Sequence, residues 1–219
     1  MQHALAANIE LGDGVRVNRP VQSMKALRDK GVIKQRLDYS CGAAALATIL
    51  RYGLGDPVTE RDILAQLFEV LSTEEQALSR KEGFSLLDMQ RVAQARGYKA
   101  QGFRLEPKYL DKFGGPVIVF IEPKGYKHFA VLRGVRGNRV YLADPSRGNI
   151  RMPHYAFLED WLGDDSTGII FVVEPKTGLP DHETPLSLTA EGIPQPEIMT
   201  ASELLAVGNP FVTLPELSR

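Results

Sequence analysis

Few residues of this 219-residue chain could do covalent chemistry. It holds one cysteine, Cys41, and four histidines, His3, His128, His154 and His182. A thiol attacks as the thiolate, and its free pKa of about 8.5 leaves little of that form at neutral pH. Two devices favour the anion: a helix N-terminus, with its unpaired N–H groups and dipole, and a nearby imidazolium. Cys41 is placed for the first. It follows Asp38-Tyr39-Ser40, a polar turn suited to capping, and opens a run of small and apolar residues, Cys41-Gly-Ala-Ala-Ala-Leu-Ala-Thr-Ile-Leu-Arg-Tyr52, that stops at Gly53. On this segment alone, a small buried cysteine at a helix start describes the residue as well as a nucleophile does.

The second device needs a histidine. His3 and His182 lie toward irregular ends, and His154 follows Pro153 in a surface connection. Only His128 heads a buried strand, where the backbone would hold it rigidly. A lone histidine there is ordinarily a satisfied core residue, but Asp144 changes that reading. The runs His128-Phe-Ala-Val-Leu-Arg-Gly134 and Asn138-Arg-Val-Tyr-Leu-Ala-Asp144 flank a short turn and predict a hairpin. In a hairpin the start of one strand faces the end of the next, so His128 and Asp144 should be neighbours. A carboxylate bound to one ring nitrogen fixes the tautomer and leaves the other nitrogen for the thiol. Acyl transfer also needs a donor for the developing oxyanion. Gln35, six residues before Cys41, could bring its amide toward the Cys41 backbone N–H, although a glutamine at that spacing is by itself an ordinary loop residue.

The elements that must position these groups fall into two halves. The first half is helical. Cys41–Tyr52 is apolar nearly all round and should be buried in the middle of the domain. Thr59 with Asp62 forms a capping pair before the stripe Ile63, Leu64, Leu67, Phe68 and Leu71. A third helix starts near Ser85, with Asp88 three residues on, and stops at Gly97. The second half is strand-like: the proline-led run Pro116–Ile121, the hairpin, and Gly168–Val173, with a short helix from His154 to Leu162 that turns Phe157 and Trp161 inward. Helices first and an antiparallel sheet second predict an α+β domain. The division is a 1–23 arm of partial alternation, a 24–175 catalytic core and a 176–219 tail. Residues 175–219 hold 7 of the 14 prolines, so the tail can build little regular structure and should dock on the core through residues such as Leu204, Leu205, Val207, Phe211 and Leu214. Gly114-Gly115 precedes a buried strand and reads as a turn rather than a self-cleavage site.

The order Cys, His, Asp, with the thiol on a helix and its partners on a sheet, is the papain-like arrangement with an acid in place of the usual amide. The stretch Gln35-Arg-Leu-Asp-Tyr-Ser-Cys41-Gly-Ala-Ala-Ala-Leu-Ala resembles the catalytic segment of the double-glycine leader peptidases, the bacteriocin-processing branch of that clan. His128-Phe-Ala-Val-Leu and Asp144-Pro-Ser-Arg-Gly resemble the family's second and third motifs, and Gly83-Phe-Ser-Leu-Leu-Asp to Arg96-Gly-Tyr its central helix. The resemblance implies a papain-like cysteine peptidase fold over residues 24–175. It also implies a triad of Cys41, His128 and Asp144, an oxyanion donor in Gln35, and cleavage after a Gly-Gly pair. It further resembles the standalone members, one type of which serves bacterial functional-amyloid (Fap) secretion, and these are commonly exported. The expectation is therefore a periplasmic enzyme whose signal lies outside this sequence, with the cytoplasm as the alternative.

Composition narrows the partners. A net charge of −1, with no dense Lys/Arg cluster, gives no field for a phosphate backbone, so nucleic acid is excluded as an expected partner. No run of 18 apolar residues would span a membrane. Thiol chemistry of this kind needs no metal or organic cofactor. The expected partner is a protein or peptide substrate, with secretion-system proteins beside it. The rival reading is a non-catalytic peptide-binding secretion adaptor of the same fold, and a third is a cysteine acyltransferase acting on a small peptide.

Overall fold

The computed structural model describes residues 5–11, 15–21, 23–113, 115–176 and 183–188. It opens on a hairpin, β1 (Leu5–Leu11) antiparallel to β2 (Val15–Val21), paired from Leu5↔Val21 to Leu11↔Val15. The alternation of the N-terminal arm is therefore answered by the arm pairing with itself, as a two-stranded sheet separate from the main one. A short helix, α1 (Met24–Arg28), follows, with the Ser23 hydroxyl accepting from the Ala26 N–H as its cap.

The cysteine heads α2 (Cys41–Thr48), which passes without a break into a π-helical turn at Ile49–Gly53. Every residue of α2 is buried. A helix with no polar stripe has no side to offer to water, and it takes the centre of the domain. The Thr48 hydroxyl donates back to the Ala44 carbonyl at 2.8 Å and accepts from the Ile33 N–H at 3.0 Å. Gly42 permits close approach to the neighbouring layers. A Cβ there would stand 3.1 Å from the Met89 sulfur and 3.3 Å from the Phe129 ring.

Three more helices follow: α3 (Glu60–Val70), α4 (Thr73–Glu82) and α5 (Leu86–Ala95). Each opens with a reciprocal capping box, Thr59 with Asp62, Ser72 with Glu75, and Ser85 with Asp88. The expected helices at Thr59 and Ser85 are these. The helix α4 has no counterpart in the sequence expectation, because it is polar, leaves Leu78 exposed and buries only Ser79.

The remaining strands are β3 (Lys99–Leu105), β4 (Val117–Ile121), β5 (His128–Arg136), β6 (Arg139–Asp144), β7 (Gly148–Pro153) and β8 (Gly168–Glu174), with α6 (His154–Trp161) before the last. They form one sheet in the order β3-β8-β4-β5-β6-β7, with every neighbouring pair antiparallel. The edges β3 and β7 escape the sequence patterns because an edge strand need not be apolar on both faces. The central strands are apolar on both faces because both are covered. Ile118, Phe129 and Val131 join the helix-side core with Leu46, Ile49, Ile63, Leu67 and Met89. Val119, Ala130 and Leu132 join a second core beneath, with Phe157, Trp161 and Leu142.

Part of the tail docks. Leu186 is 1% exposed within the helix-side core. The buried Arg133 guanidinium donates to the carbonyls of Pro185, Leu186 and Ser187, each at 3.2 Å, and to Asn149 Oδ1 at 2.9 Å. The apolar tail residues from Leu204 onward, His3, His182 and Gly114 lie outside the described residues.

Candidate active site

Cys41 is the first residue of α2 and 7% exposed. Ser40 occupies the capping position, but its side chain makes no cap bond, which corrects the expectation for the Asp38-Tyr39-Ser40 turn. The Ser40 hydroxyl is instead turned toward the Leu37 carbonyl at 2.8 Å and the carboxylate of Glu60. Glu60 is 4% exposed at the first turn of α3, and it also accepts from the Arg36 N–H at 2.8 Å. This buried carboxylate therefore grips the loop on the approach to the cysteine. Sequence reading missed it because Glu60 looked like one more acidic residue in a helix's first turn.

His128 heads β5 and Asp144 ends β6. The register Val131↔Ala143 brings the two ends together as diagonal neighbours across the ladder, within reach of longer side chains. Their side chains meet: His128 Nε2 lies 3.1 Å from Asp144 Oδ1, with both groups buried. The Cys41 thiol bears on the same imidazole, and with Nε2 engaged by Asp144, Nδ1 is the nitrogen left for sulfur. Burial alone would push the His128 pKa down from 6.5. The hydrogen bonds to Asp144 and Cys41 and the charges of both outweigh it, and the imidazole is pushed up to about 9. Burial likewise opposes the charge of Asp144. The bond and charge of His128, the Arg147 guanidinium and the Arg147 N–H prevail, and they hold the carboxyl well below its usual range.

Asp144 has no exposed surface. Its Oδ1 accepts from His128, from the N–H and hydroxyl of Ser146 at 2.7 and 2.9 Å, and from the Arg147 N–H at 2.9 Å. Its Oδ2 accepts from Arg147 Nε at 2.9 Å. Such a carboxylate is pinned in orientation. Pro145 removes one N–H from the turn and Ser146 and Arg147 supply two, so the short sequence after Asp144 builds the cradle.

Gln35 is tied to the same corner by its backbone, whose N–H donates to the Pro145 carbonyl at 2.9 Å. Its side-chain Nε2 donates one N–H to the Leu37 carbonyl at 3.1 Å, and the second finds no partner among the described residues. Its Oε1 is buried with no partner among the described residues. The structure thus gathers Cys41, His128 and Asp144 through their side chains, and anchors Gln35 beside Asp144 through the main chain. His154 stands apart, at the start of α6.

Cys41 opens onto a cleft of about 780 Å³. Tyr39, Phe84, Phe120 and Phe129 make its inner walls, and Leu87 and Tyr126 are exposed around it. The Tyr126 hydroxyl reaches the Asp38 carbonyl at 3.4 Å, joining the sheet half to the loop before the cysteine. Among the described residues no group of three His, Cys, Asp or Glu side chains could hold a metal ion. No helix among them is long and apolar enough to cross a membrane.

Residues 29–177 match the peptidase C39 family. The chain is 38% identical over 163 residues to a probable functional amyloid protease, FapD, of Pseudomonas aeruginosa, covering 74% of this chain and 69% of that one. A lactococcin-G-processing and transport ATP-binding protein of Lactococcus lactis is 25% identical over 150 residues, covering 67% of this chain and 19% of that protein. Among solved structures, a double-glycine-motif protease from an AMS/PCAT transporter, in complex with its leader peptide, superposes with a TM-score of 0.54 at 28% identity. It covers 68% of this chain and 95% of that one.

Proposed function

We propose, from the premise that this chain belongs to the peptidase C39 family and is a cysteine peptidase of papain-like fold, that it cleaves a protein or leader peptide after a Gly-Gly pair during bacterial secretion or amyloid export. One observation supports the catalytic reading: the buried His128 imidazole is bonded to the Asp144 carboxylate through Nε2, with the chain's one thiol close enough to bear on the same ring. In this reading residues 24–175 are the catalytic unit, between the N-terminal arm and the tail.

His128 accepts the proton of the Cys41 thiol, and the sulfur adds to the carbonyl carbon of the scissile peptide. The oxyanion takes hydrogen bonds from the Cys41 backbone N–H and the free Nε2 hydrogen of Gln35. The C–N bond then breaks, and the imidazolium gives its proton to the leaving amine. Water, deprotonated by His128, attacks the thioester. The C–S bond breaks, the acid leaves, and the thiol is restored. Asp144 stays ionised throughout and keeps the ring in place.

The substrate class rests on the relatives: one is named a probable functional amyloid protease, and another was solved with a leader peptide as a double-glycine-motif protease. Compartment follows from substrate in this reading, and we assign the enzyme to the periplasm. The test is to incubate the active chain and its Cys41→Ala form with the proteins encoded beside it, and to read new termini by mass spectrometry. New termini after Gly-Gly with the active chain alone are the expected result. Equal cleavage by both forms would end the catalytic assignment, and cleavage elsewhere would end the Gly-Gly rule.

A further inference from the structure

An orienting carboxylate needs one bond to its histidine, and Asp144 has far more than that. His128 and Arg147 hold opposite oxygens of one buried carboxylate, the imidazole on Oδ1 and the guanidinium Nε on Oδ2. Arg147 contributes twice, since its backbone N–H also donates to Oδ1. A carboxylate exchanges its oxygens by rotating about its terminal torsion, which is broad and two-fold. Here rotation would break the Nε bond and move the acceptor from four donors at once.

We propose that Arg147 is a positioning residue of the catalytic site. Its guanidinium locks the Asp144 carboxylate for His128, and its charge limits how tightly that carboxylate holds the imidazolium. The proposal rests on the triad reading above. Two properties set Arg147 apart from a mere turn-former. Its side chain is 48% exposed while that of Asp144 is 0% exposed, so its charge reaches the buried pair from the solvent side. It also stands one carboxylate's width from the imidazolium, close enough for a charge to register but too far for contact.

The charges that bear most on the pair come from several elements around it. The imidazole meets Cys41 from α2 and Asp144 from β6. The carboxylate meets Arg147 from the turn before β7. Lys34, from the segment before the cysteine, bears on Asp144 by charge, and its buried Nζ stands 3.9 Å from Asp29. Lys34 and Asp29 stay in place when Arg147 is changed, so a difference between variants belongs to Arg147. The sign follows. Without the guanidinium charge the imidazolium is less repelled and keeps its proton to higher pH.

The experiment follows the His128 imidazole by NMR titration of the full chain, assigned by its loss in His128→Ala. Arg147→Gln should raise the His128 midpoint by about half a pH unit, the size expected for one charge at this separation and partial exposure. Arg147→Lys, which keeps the charge, should return most of that shift. About 0.5 M salt should move the wild-type midpoint toward the Gln variant and leave that variant unmoved, because the arginine is open to screening. Coincident titrations of wild type and Arg147→Gln would overturn the proposal and leave the triad standing. The triad is tested separately by alkylation of Cys41 with iodoacetamide. Labelling well below pH 8 that disappears in His128→Ala supports it, and labelling only at alkaline pH would remove the reading and the role of Arg147 together.

Discussion

Asp144 and Gln35 sit at one corner of the site and are joined through Pro145, yet they are held in opposite ways. Five hydrogen bonds converge on the Asp144 carboxylate, among them two from backbone N–H groups. Gln35 has its backbone fixed, but among the described residues its side chain makes one hydrogen bond and buries an oxygen without a partner. In the proposed mechanism the carboxylate that orients the histidine is saturated, and the amide that would meet the oxyanion keeps a donor in reserve. An unsatisfied buried acceptor costs stability on the order of 1–3 kcal/mol.

The most severe way to break this comparison is Asp144→Ala. With the carboxylate gone, peptide cleavage should fall on the order of 10³–10⁴-fold, as when a triad loses its orienting acid. The His128 midpoint should drop from about 9 toward or below 6.5, since only burial and the thiol remain. An NMR titration beside steady-state kinetics reads both. Gln35→Ala should cost less, about 10²–10³-fold, with the loss in kcat rather than KM if the amide meets only the oxyanion. It should leave unfolding by denaturant unchanged or slightly harder, because it removes an unpaired buried oxygen.

A third change tests the support under the loop that carries Gln35. Glu60→Gln keeps the shape of the side chain and removes the charge that holds Ser40 and Arg36. About 1–3 kcal/mol of unfolding free energy should be lost, with a smaller effect on cleavage than either site variant. The mildest test needs no mutation. A depressed Asp144 contributes stability that is complete above the ordinary carboxyl value of 3.8 and fades as pH falls below it. A raised His128 contributes stability that is complete below 6.5 and fades as pH climbs toward about 9. Denaturation midpoints should therefore form a plateau between about pH 4 and 6.5, and His128→Ala should flatten its alkaline shoulder.

The parts that sequence made legible share a physical cause. His128 and Asp144 could be brought together in advance because a hairpin leaves little freedom in where its ends point, and the resemblance to the double-glycine leader peptidases added Cys41 at its helix start. The helix α2 and strands β4, β5, β6 and β8 announced themselves as apolar runs. What stayed hidden was either polar or non-local. Helix α4 shows its Ser72–Glu75 capping pair but no apolar stripe. The edge strands β3 and β7 lack a covered face. The grip of Glu60 on Ser40 spans 20 residues and that of Arg133 on Leu186 spans 53, and no local pattern announces such contacts. The π-helical turn at Ile49–Gly53 was likewise folded into one expected helix.

The clasp on the tail constrains how this chain can vary. Arg133 reads Pro185, Leu186 and Ser187 only through their carbonyl oxygens, which every amino acid presents alike. Leu186 is read by shape, filling its place beside Gly53 and Pro116. Position 187 keeps a hydroxyl, because Ser187 Oγ accepts from the Thr184 N–H at 2.9 Å, while position 186 admits only another side chain that fills the same apolar hole.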